Sequence, residues 1–159
     1  MDLENKVSLV TGAGQGIGEG IAKTLAKKGS KVIVVDLNQE SSAKVAEEIN
    51  DKFPNTACSF QADLTKSDEI KHMLEFGVTK FSKIDCICNN AAASKGIGPV
   101  EDYSLEDVQA TLDLTFTCLW KCLQAEIKFL KQQAILASVV NISSNSAIKG
   151  YAFNSIYAA

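Results

Sequence analysis

Short apolar runs alternate with longer amphipathic stretches along this chain. Lys6–Thr11 (KVSLVT), Lys31–Asp36 (KVIVVD), Thr56–Gln61, Ile84–Cys88 and Ala137–Ile142 (ASVVNI) read as strands. Between them lie helical patterns over Gly16–Lys28, Gln39–Lys52, Ser67–Phe81 and Ser104–Leu130. The first helix places Ile17, Ile21, Ala22 and Leu25 on one face, and the second turns Val45, Ala46 and Ile49 inward. Unbroken Val/Ile runs mark strands covered on both faces, and strands separated by helices predict βαβ units around a parallel sheet. Pro54 and Pro99 fall between elements, where a missing N–H does no harm. Neither an internal repeat nor a linker composition interrupts the pattern, so residues 1–159 are expected to form one α/β domain.

The first strand runs into Thr11-Gly12-Ala13-Gly14-Gln15-Gly16-Ile17-Gly18, and a helix follows at once. Gly12 permits a tight turn, Gly14 and Gly16 let backbone approach a pyrophosphate, and Gly18 lets helix and strand pack closely. The helix N-terminus offers unpaired N–H groups and partial positive charge to phosphates. The spacing is GxxxGxG over Gly12, Gly16 and Gly18, not GxGxxG, because Ile17 stands where the latter needs glycine. A plain strand-to-helix turn is the alternative, but four glycines in seven residues cost backbone entropy that a turn alone does not require. Asp36 ends the second strand, 18 residues after Gly18. A carboxylate there accepts hydrogen bonds from both ribose hydroxyls of an adenosine and repels a 2′-phosphate. With Leu37 beside it and neutral Gln15 in the turn, the reading is NAD in preference to NADP. Taken alone, Asp36 also fits a strand-end turn.

Composition narrows the partners. Apolar residues make up 46% and charged ones 22%, with a formal net charge of -3. These are the proportions of a folded domain, and they require no basic face, so nucleic acid is not expected as a partner. The longest apolar runs are too short to span a bilayer. The start, Met1-Asp2-Leu3-Glu4-Asn5-Lys6, has no apolar signal region, so a cytoplasmic location is expected. Cys58, Cys86, Cys88, Cys118 and Cys122 lack CxxC pairing, so they read as buried thiols and no metal is expected. Cys86 and Cys88 point to one face of their strand, and Cys118 and Cys122 are four apart on a helix. The lone histidine, His72, sits among charged residues on a helix and reads as surface, which leaves a Ser–His–Asp hydrolase poorly supported. Trp120, with Phe116 and Leu123, reads as core or as a subunit interface, and Ser94–Pro99 as a loop that by position borders a substrate.

At this point the residues resemble a known family, the short-chain dehydrogenases/reductases, along essentially the whole chain. Thr11–Gly18 resembles its TGxxxGIG motif. Asp63-Leu64 resembles the pair that borders the adenine. Asn89-Asn90-Ala91-Ala92 resembles NNAG with Ala92 for glycine, and Tyr157-Ala158-Ala159 resembles the start of YxxxK. Ser144 and Tyr157 are 13 apart, the family's usual serine-to-tyrosine spacing. Five such matches in order are specific where each alone is weak. The resemblance implies a Rossmann-type doubly wound sheet, incomplete, with strands in the order 3-2-1-4-5 and the nucleotide across their carboxyl ends. It implies an oxidoreductase that moves a hydride between NAD and an alcohol or ketone. Tyr157 would exchange the proton and Ser144 would hold the substrate oxygen. Asn90 and Ala91 join Gly12, Gly14, Gln15, Gly16, Ile17, Gly18, Asp36, Leu37, Asp63 and Leu64 as expected cofactor contacts. A homo-oligomer is expected, since the family often pairs its long helix across a dimer.

Two departures qualify the resemblance. An unperturbed phenol titrates near 10, and the family lowers this with a lysine four residues after the tyrosine. That place lies two positions beyond Ala159, so a fragment cut within YxxxK is expected. Asp113 is read at the place of a relay asparagine, and an ionised carboxylate cannot donate as an amide does; it also fits a plain surface position. The strand over Ala137–Ile142 is expected to be an uncovered edge. The rival readings are a catalytically inactive nucleotide-binding module and a non-functional fragment. Substrate identity stays open among sugars, polyols, steroids and acyl thioesters.

Overall fold

The computed structural model describes residues 3–134 and 136–158. Five strands form one sheet: β1 (Val7–Thr11), β2 (Lys31–Asp36), β3 (Ala57–Gln61), β4 (Cys86–Asn89) and β5 (Ser138–Asn141). Their order is β3-β2-β1-β4-β5, and all four pairings are parallel. The helices are α1 (Gly16–Lys27), α2 (Gln39–Lys52), α3 (Ser67–Phe81), α4 (Leu105–Leu112), α5 (Cys118–Gln133) and the short α6 (Ser155–Ala158). This is the doubly wound Rossmann arrangement expected from the resemblance.

The alternation of side chains along each central strand builds two cores. Leu9 pairs in register with Ile33 and Ile87. These three pack on one face against Ile70, Met73 and Leu74 of α3 and Cys118, Cys122 and Leu130 of α5. One residue on, Val10 pairs with Val34 and Cys88. These face the other way, onto Ala22 and Ala26 of α1 and Val45, Ala46 and Ile49 of α2. A one-residue slip would exchange the two faces, so the register is fixed by burial on both sides.

Three helical expectations change. The buried stripe of α1 is Gly18, Ala22 and Ala26, with Ile21 and Leu25 packed against it and only partly buried, and Ile17 outside it. Small residues at i, i+4 and i+8 bring the helix close to the sheet, which leaves Ile17 at 70% exposure. The stretch read as one helix over Ser104–Leu130 starts with a cap in which Ser104 Oγ accepts from Asp107 N at 3.0 Å. It then widens into a π turn over Asp113–Thr117 before α5 continues to Gln133. Trp120 is 63% exposed, which removes it from the core. The strand boundaries of β1, β3, β4 and β5 shift by one or two residues. As expected, β5 lies at the sheet edge, with Val139 partly buried and Val140 exposed.

Beneath the ends of β4 and β5 lies a polar cluster, buried at Asn89 and Glu126 and exposed at Asn141, that sequence reading did not anticipate. Asn89 and Asn141 are the last paired residues of their strands. Asn89 Nδ2 donates to Asn141 Oδ1 at 3.1 Å and to Glu126 Oε2 of α5 at 3.0 Å. Glu126 is fully buried, and its Oε1 has no hydrogen-bond partner. Burial pushes its carboxyl up to about 7, against the opposing effect of the Asn89 hydrogen bond. The proton is therefore lost from the unfolded chain near pH 4.5 and from the fold only near 7. Across that window a rise in pH favours unfolding, by about 3 kcal/mol in total. Glu126→Gln keeps an acceptor for Asn89 and cannot ionise. Thermal denaturation at a series of pH values from 4.5 to 8 should show wild type falling by several degrees relative to Glu126→Gln, with little further divergence above 8. Parallel curves would mean that Glu126 does not carry this dependence.

Candidate active site

The carboxyl ends of all five strands open onto one cavity of about 590 Å³. It lies where β1 and β4 part, β1 leading to α1 on one face and β4 toward α4 and α5 on the other. In an open parallel sheet this divergence is where ligands bind. Twelve of the fourteen residues expected in the site line it: Gly12, Gln15, Gly16, Ile17, Asp36, Leu37, Asp63, Leu64, Asn90, Ala91, Ser144 and Tyr157. Gly14 and Gly18 do not.

Their absence has a physical reason. Gly14 is buried behind the cavity, and its N–H donates to Asp36 Oδ2 at 2.8 Å. A Cβ there would strike Ser41 Oγ and the Asp36 carboxyl. Gly14 therefore makes room for the end of β2, where a side chain would displace Ser41 and Asp36. A Cβ on Gly18 would collide with Gly12 O and lie 2.6 Å from Asn90 Nδ2, so Gly18 serves close packing, as expected. The positive φ values fall at Gly12 (60°) and Gly16 (58°), a conformation that favours glycine.

The glycine turn is laced to the end of β4. Thr11 Oγ1 accepts from Asn90 N at 3.0 Å and Ala91 N at 3.1 Å. Asn90 Nδ2 donates back to Thr11 O at 3.0 Å and Gly12 O at 3.1 Å. Asn90 thus borders the cavity while its amide braces the turn.

Each carboxylate of the site is oriented by backbone N–H groups of the surrounding loops. Asp36 Oδ2 is held by Gly14 N and Oδ1 by Asn38 N at 3.0 Å. A carboxylate oxygen has two lone pairs, so each retains one for a ligand hydroxyl. Asp63 Oδ1 accepts from Thr65 Oγ1 at 2.7 Å and Thr65 N at 3.0 Å. The Thr65 hydroxyl, more than Lys66, holds the Asp63 carboxyl below its ordinary range. Lys121 of α5 reaches across to Thr65 O at 2.8 Å and ties this loop to the helix layer.

Past β5, Ser144 Oγ accepts from Ser146 N at 3.1 Å, which leaves the hydroxyl proton free to be donated elsewhere. Tyr157 sits on α6, which packs against α4. The segment before α6 is pinned by Tyr103, whose hydroxyl donates to Phe153 O at 2.9 Å and accepts from Gly98 N at 3.2 Å. The Ser94–Pro99 loop is thereby attached to the segment that carries Tyr157.

Gln15 does not cap α1 with its side chain, and nothing lies within 4 Å of where a Gly16 Cβ would be. The N-terminal end of α1 is therefore open toward the cavity, as binding of a pyrophosphate requires. With Asp36 beside it, the donor set fits a dinucleotide. Asp113 accepts from Gln109 Nε2 at 3.1 Å and is not among the lining residues; Leu114 and Cys118 are. Val35, Ala62, Thr65, Ala92, Ala93, Ile142 and Ser143 also line the cavity. The four-residue spacing of Leu114 and Cys118 was a visible signal of a shared helix face, without indicating which face. Among the described residues no cluster of His, Cys, Asp and Glu could hold a metal, and no helix is long and apolar enough to cross a membrane.

Comparison with known proteins agrees with this architecture. An uncharacterized oxidoreductase of Staphylococcus epidermidis is 30% identical over 157 residues, covering 99% of this chain and 66% of that protein. Cyclohexanol dehydrogenase of an Acinetobacter species is 31% identical over 150 residues, covering 92% of this chain and 57% of that protein. The crystal structure of an NAD+-bound xylitol dehydrogenase superposes with a TM-score of 0.92 at 30% identity, covering 99% of this chain and 60% of that one. The chain thus spans less than two thirds of the length of each of these three proteins. The short chain dehydrogenase family model matches residues 6–159, and the chain belongs to that family.

Proposed function

We propose that this chain is the NAD-binding part of a dehydrogenase that interconverts an alcohol and a ketone, with Tyr157 as the proton donor and acceptor and Ser144 holding the substrate oxygen. The observation that carries this reading is the single cavity bordered by the glycine turn and Asp36 on the β2 side and by Ser144 and Tyr157 on the β5 side. The alcohol-dehydrogenase names of two relatives and the NAD+ of the structural neighbour support the same choice.

Gly12, Gln15, Gly16 and Ile17 would hold the pyrophosphate against the α1 N-terminus, and Asp36 the adenosine ribose. Asp63 and Leu64 would border the adenine, with Asn90 and Ala91 on the β4 side. When bound, the nicotinamide supplies or takes up the hydride. Oxidation of an alcohol also releases a hydroxyl proton, which Tyr157 would take up as a phenolate to become a phenol; in reduction the Tyr157 phenol would return that proton to the developing alkoxide. Ser144, its own oxygen already accepting from Ser146 N, donates to the substrate oxygen and stabilises charge there. A 2′-phosphate about 4 Å from Asp36 would meet a repulsion of up to about 4 kcal/mol per unit charge at an effective dielectric near 20, lowered by the solvent that reaches this half-exposed residue.

Leu112, Phe116, Trp120 and Ile127 form an exposed stripe along α4 and α5, and the Phe116 and Trp120 rings stack at 6.5 Å. Their spacings of four, four and seven keep them on one helical face. A second copy of the chain is the occupant that fits a self-complementary helix face.

Calorimetry with NAD and NADP tests the cofactor assignment. Wild type should bind NAD at least about tenfold more tightly, a difference near 1.4 kcal/mol, and Asp36→Ser should bring the two affinities together. Equal affinities in wild type would overturn the assignment. In the whole protein, Tyr157→Phe should lower turnover by about 10²–10⁴-fold while NAD affinity stays within error; an active variant would remove Tyr157 from the chemistry. Sedimentation should find a dimer or larger assembly that Phe116→Lys combined with Trp120→Lys converts to monomer. A monomeric wild type at micromolar concentration would reject the stripe as a self-interface.

A further inference from the structure

We infer that Tyr103 is a positioning residue for Tyr157: its hydroxyl fixes the segment from which α6 starts, so that removing it slows turnover without weakening nucleotide binding. This rests on reading Tyr157 as the proton donor and acceptor.

The need for a brace comes from the chain around Tyr157. Helix α6 is a single turn, Ser155–Ala158, too short to be stable through its own hydrogen bonds. Phe153, two residues before it, has a φ of 64°, the left-handed region that a bulky side chain enters only under strain. Its ring is exposed, so burial does little to offset that strain. Its carbonyl is held instead. The Tyr103 hydroxyl donates to Phe153 O at 2.9 Å, and Gly98 N donates to the same oxygen at 3.0 Å. Gly98 N also lies 3.2 Å from the Tyr103 oxygen, so the three groups close a triangle. A longer contact supports the next residue: Asn154 Nδ2 donates to Ser146 Oγ at 3.5 Å, and Ser146 N donates to Ser144 Oγ. Asn154 O then receives Ala158 N at 3.1 Å and starts the turn that carries Tyr157.

Tyr103 is itself fixed from two sides. It precedes Ser104, whose side chain caps α4. Its ring lies against Gly96, where φ is 79° and an added Cβ would come within 3.0 Å of the Tyr103 ring. The same loop is tied to α4 at its other end, where the buried Thr111 hydroxyl accepts from Lys95 N at 2.9 Å. Helix α4 therefore holds the loop at Lys95 and Gly98, and the Tyr103 hydroxyl passes that fixed frame on to Phe153. Four residues, about one helical turn, separate Phe153 from Tyr157, so a pivot at Phe153 displaces the phenol. Proton transfer needs its oxygens within hydrogen-bond reach, and small misplacements are costly in rate. Tyr103 is not among the residues that line the cavity, so its effect on turnover is exerted through Tyr157.

Tyr103→Phe removes the hydroxyl and keeps the ring against Gly96. In the whole protein, kcat per nucleotide-binding site, with sites counted by calorimetry, should fall about three- to tenfold, the range set by one lost hydrogen bond. NAD affinity should stay within error. Hydrogen exchange read by mass spectrometry should quicken at residues 153–158 and remain unchanged over the glycine turn. Tyr151→Phe, the same deletion at an exposed tyrosine two residues before Phe153, should match wild type in turnover and exchange. Unchanged kcat in Tyr103→Phe would overturn the inference, as would an equal loss in Tyr151→Phe. So would a fall in NAD affinity as large as the fall in kcat, which would make Tyr103 a general support of the fold. If Tyr157→Phe turns over like wild type, the reading of the chemistry fails and the positioning role fails with it, while exchange at residues 153–158 still decides whether the hydroxyl holds the segment.

Discussion

Two neighbouring parallel strands that send their chains to opposite faces must leave a crevice between their ends, and the rest of this molecule is arranged around that crevice. β1 and β4 run side by side and then part. The crevice cannot be closed by the sheet, because no further ladder hydrogen bonds exist where the backbones diverge. It is braced instead by side chains, with Thr11 taking two N–H groups from the β4 end and Asn90 returning its amide to two carbonyls of the β1 end. Buried backbone groups left open by the divergence are thereby satisfied. The glycine turn is held from outside rather than by its own loop, which lets it remain narrow and nearly free of side chains.

The same logic runs outward along the sheet. Asn89 and Asn141, the last register pair of β4 and β5, join the β5 side to α5 through Glu126. Lys121 joins the loop after β3 to the same helix. Helix α5 therefore touches both arms of the crevice, through Lys121 on one side and the buried Glu126 carboxyl, one oxygen of which has no partner, on the other. Its inner face sets the distance between the arms while its outer face remains apolar and open.

What could be read from the chain alone was whatever repeats with a period. Val32–Val35 and Val7–Val10 announce strands covered on both faces, and Gly12–Gly18 announces the turn, because these are runs of like residues. The inward face of α1 was read one position out of phase, with Ala22 shared, because Ile17 and Leu25 carry more apolar surface than Gly18 and Ala26, yet closeness to the sheet selects the smaller ones. The π turn at Asp113–Thr117 escaped because a single inserted residue shifts the helical phase without any residue type that marks it. Leu114 and Cys118 reach the cavity through that phase shift, so they were invisible as site residues. The closeness of Gly14 to Ser41 and Asp36 was hidden for a related reason: a residue without a side chain does not reveal which neighbour needs the room. Glu126 gave no signal because a lone carboxylate in a helical pattern reads as solvent-facing.

Asp36 gives the site a historical constraint. Its two oxygens fasten Gly14 N–H in the glycine turn and Asn38 N–H in the loop after β2, so the residue proposed to hold a ribose also ties these two loops together. Ligand choice and loop rigidity are therefore inherited as one trait. A lineage drifting toward a different dinucleotide could not change this position in isolation; it would pass through a form with a slack turn unless a new donor or acceptor had arisen nearby first. Ser41, already against the space of Gly14, stands where such a permissive change would be felt.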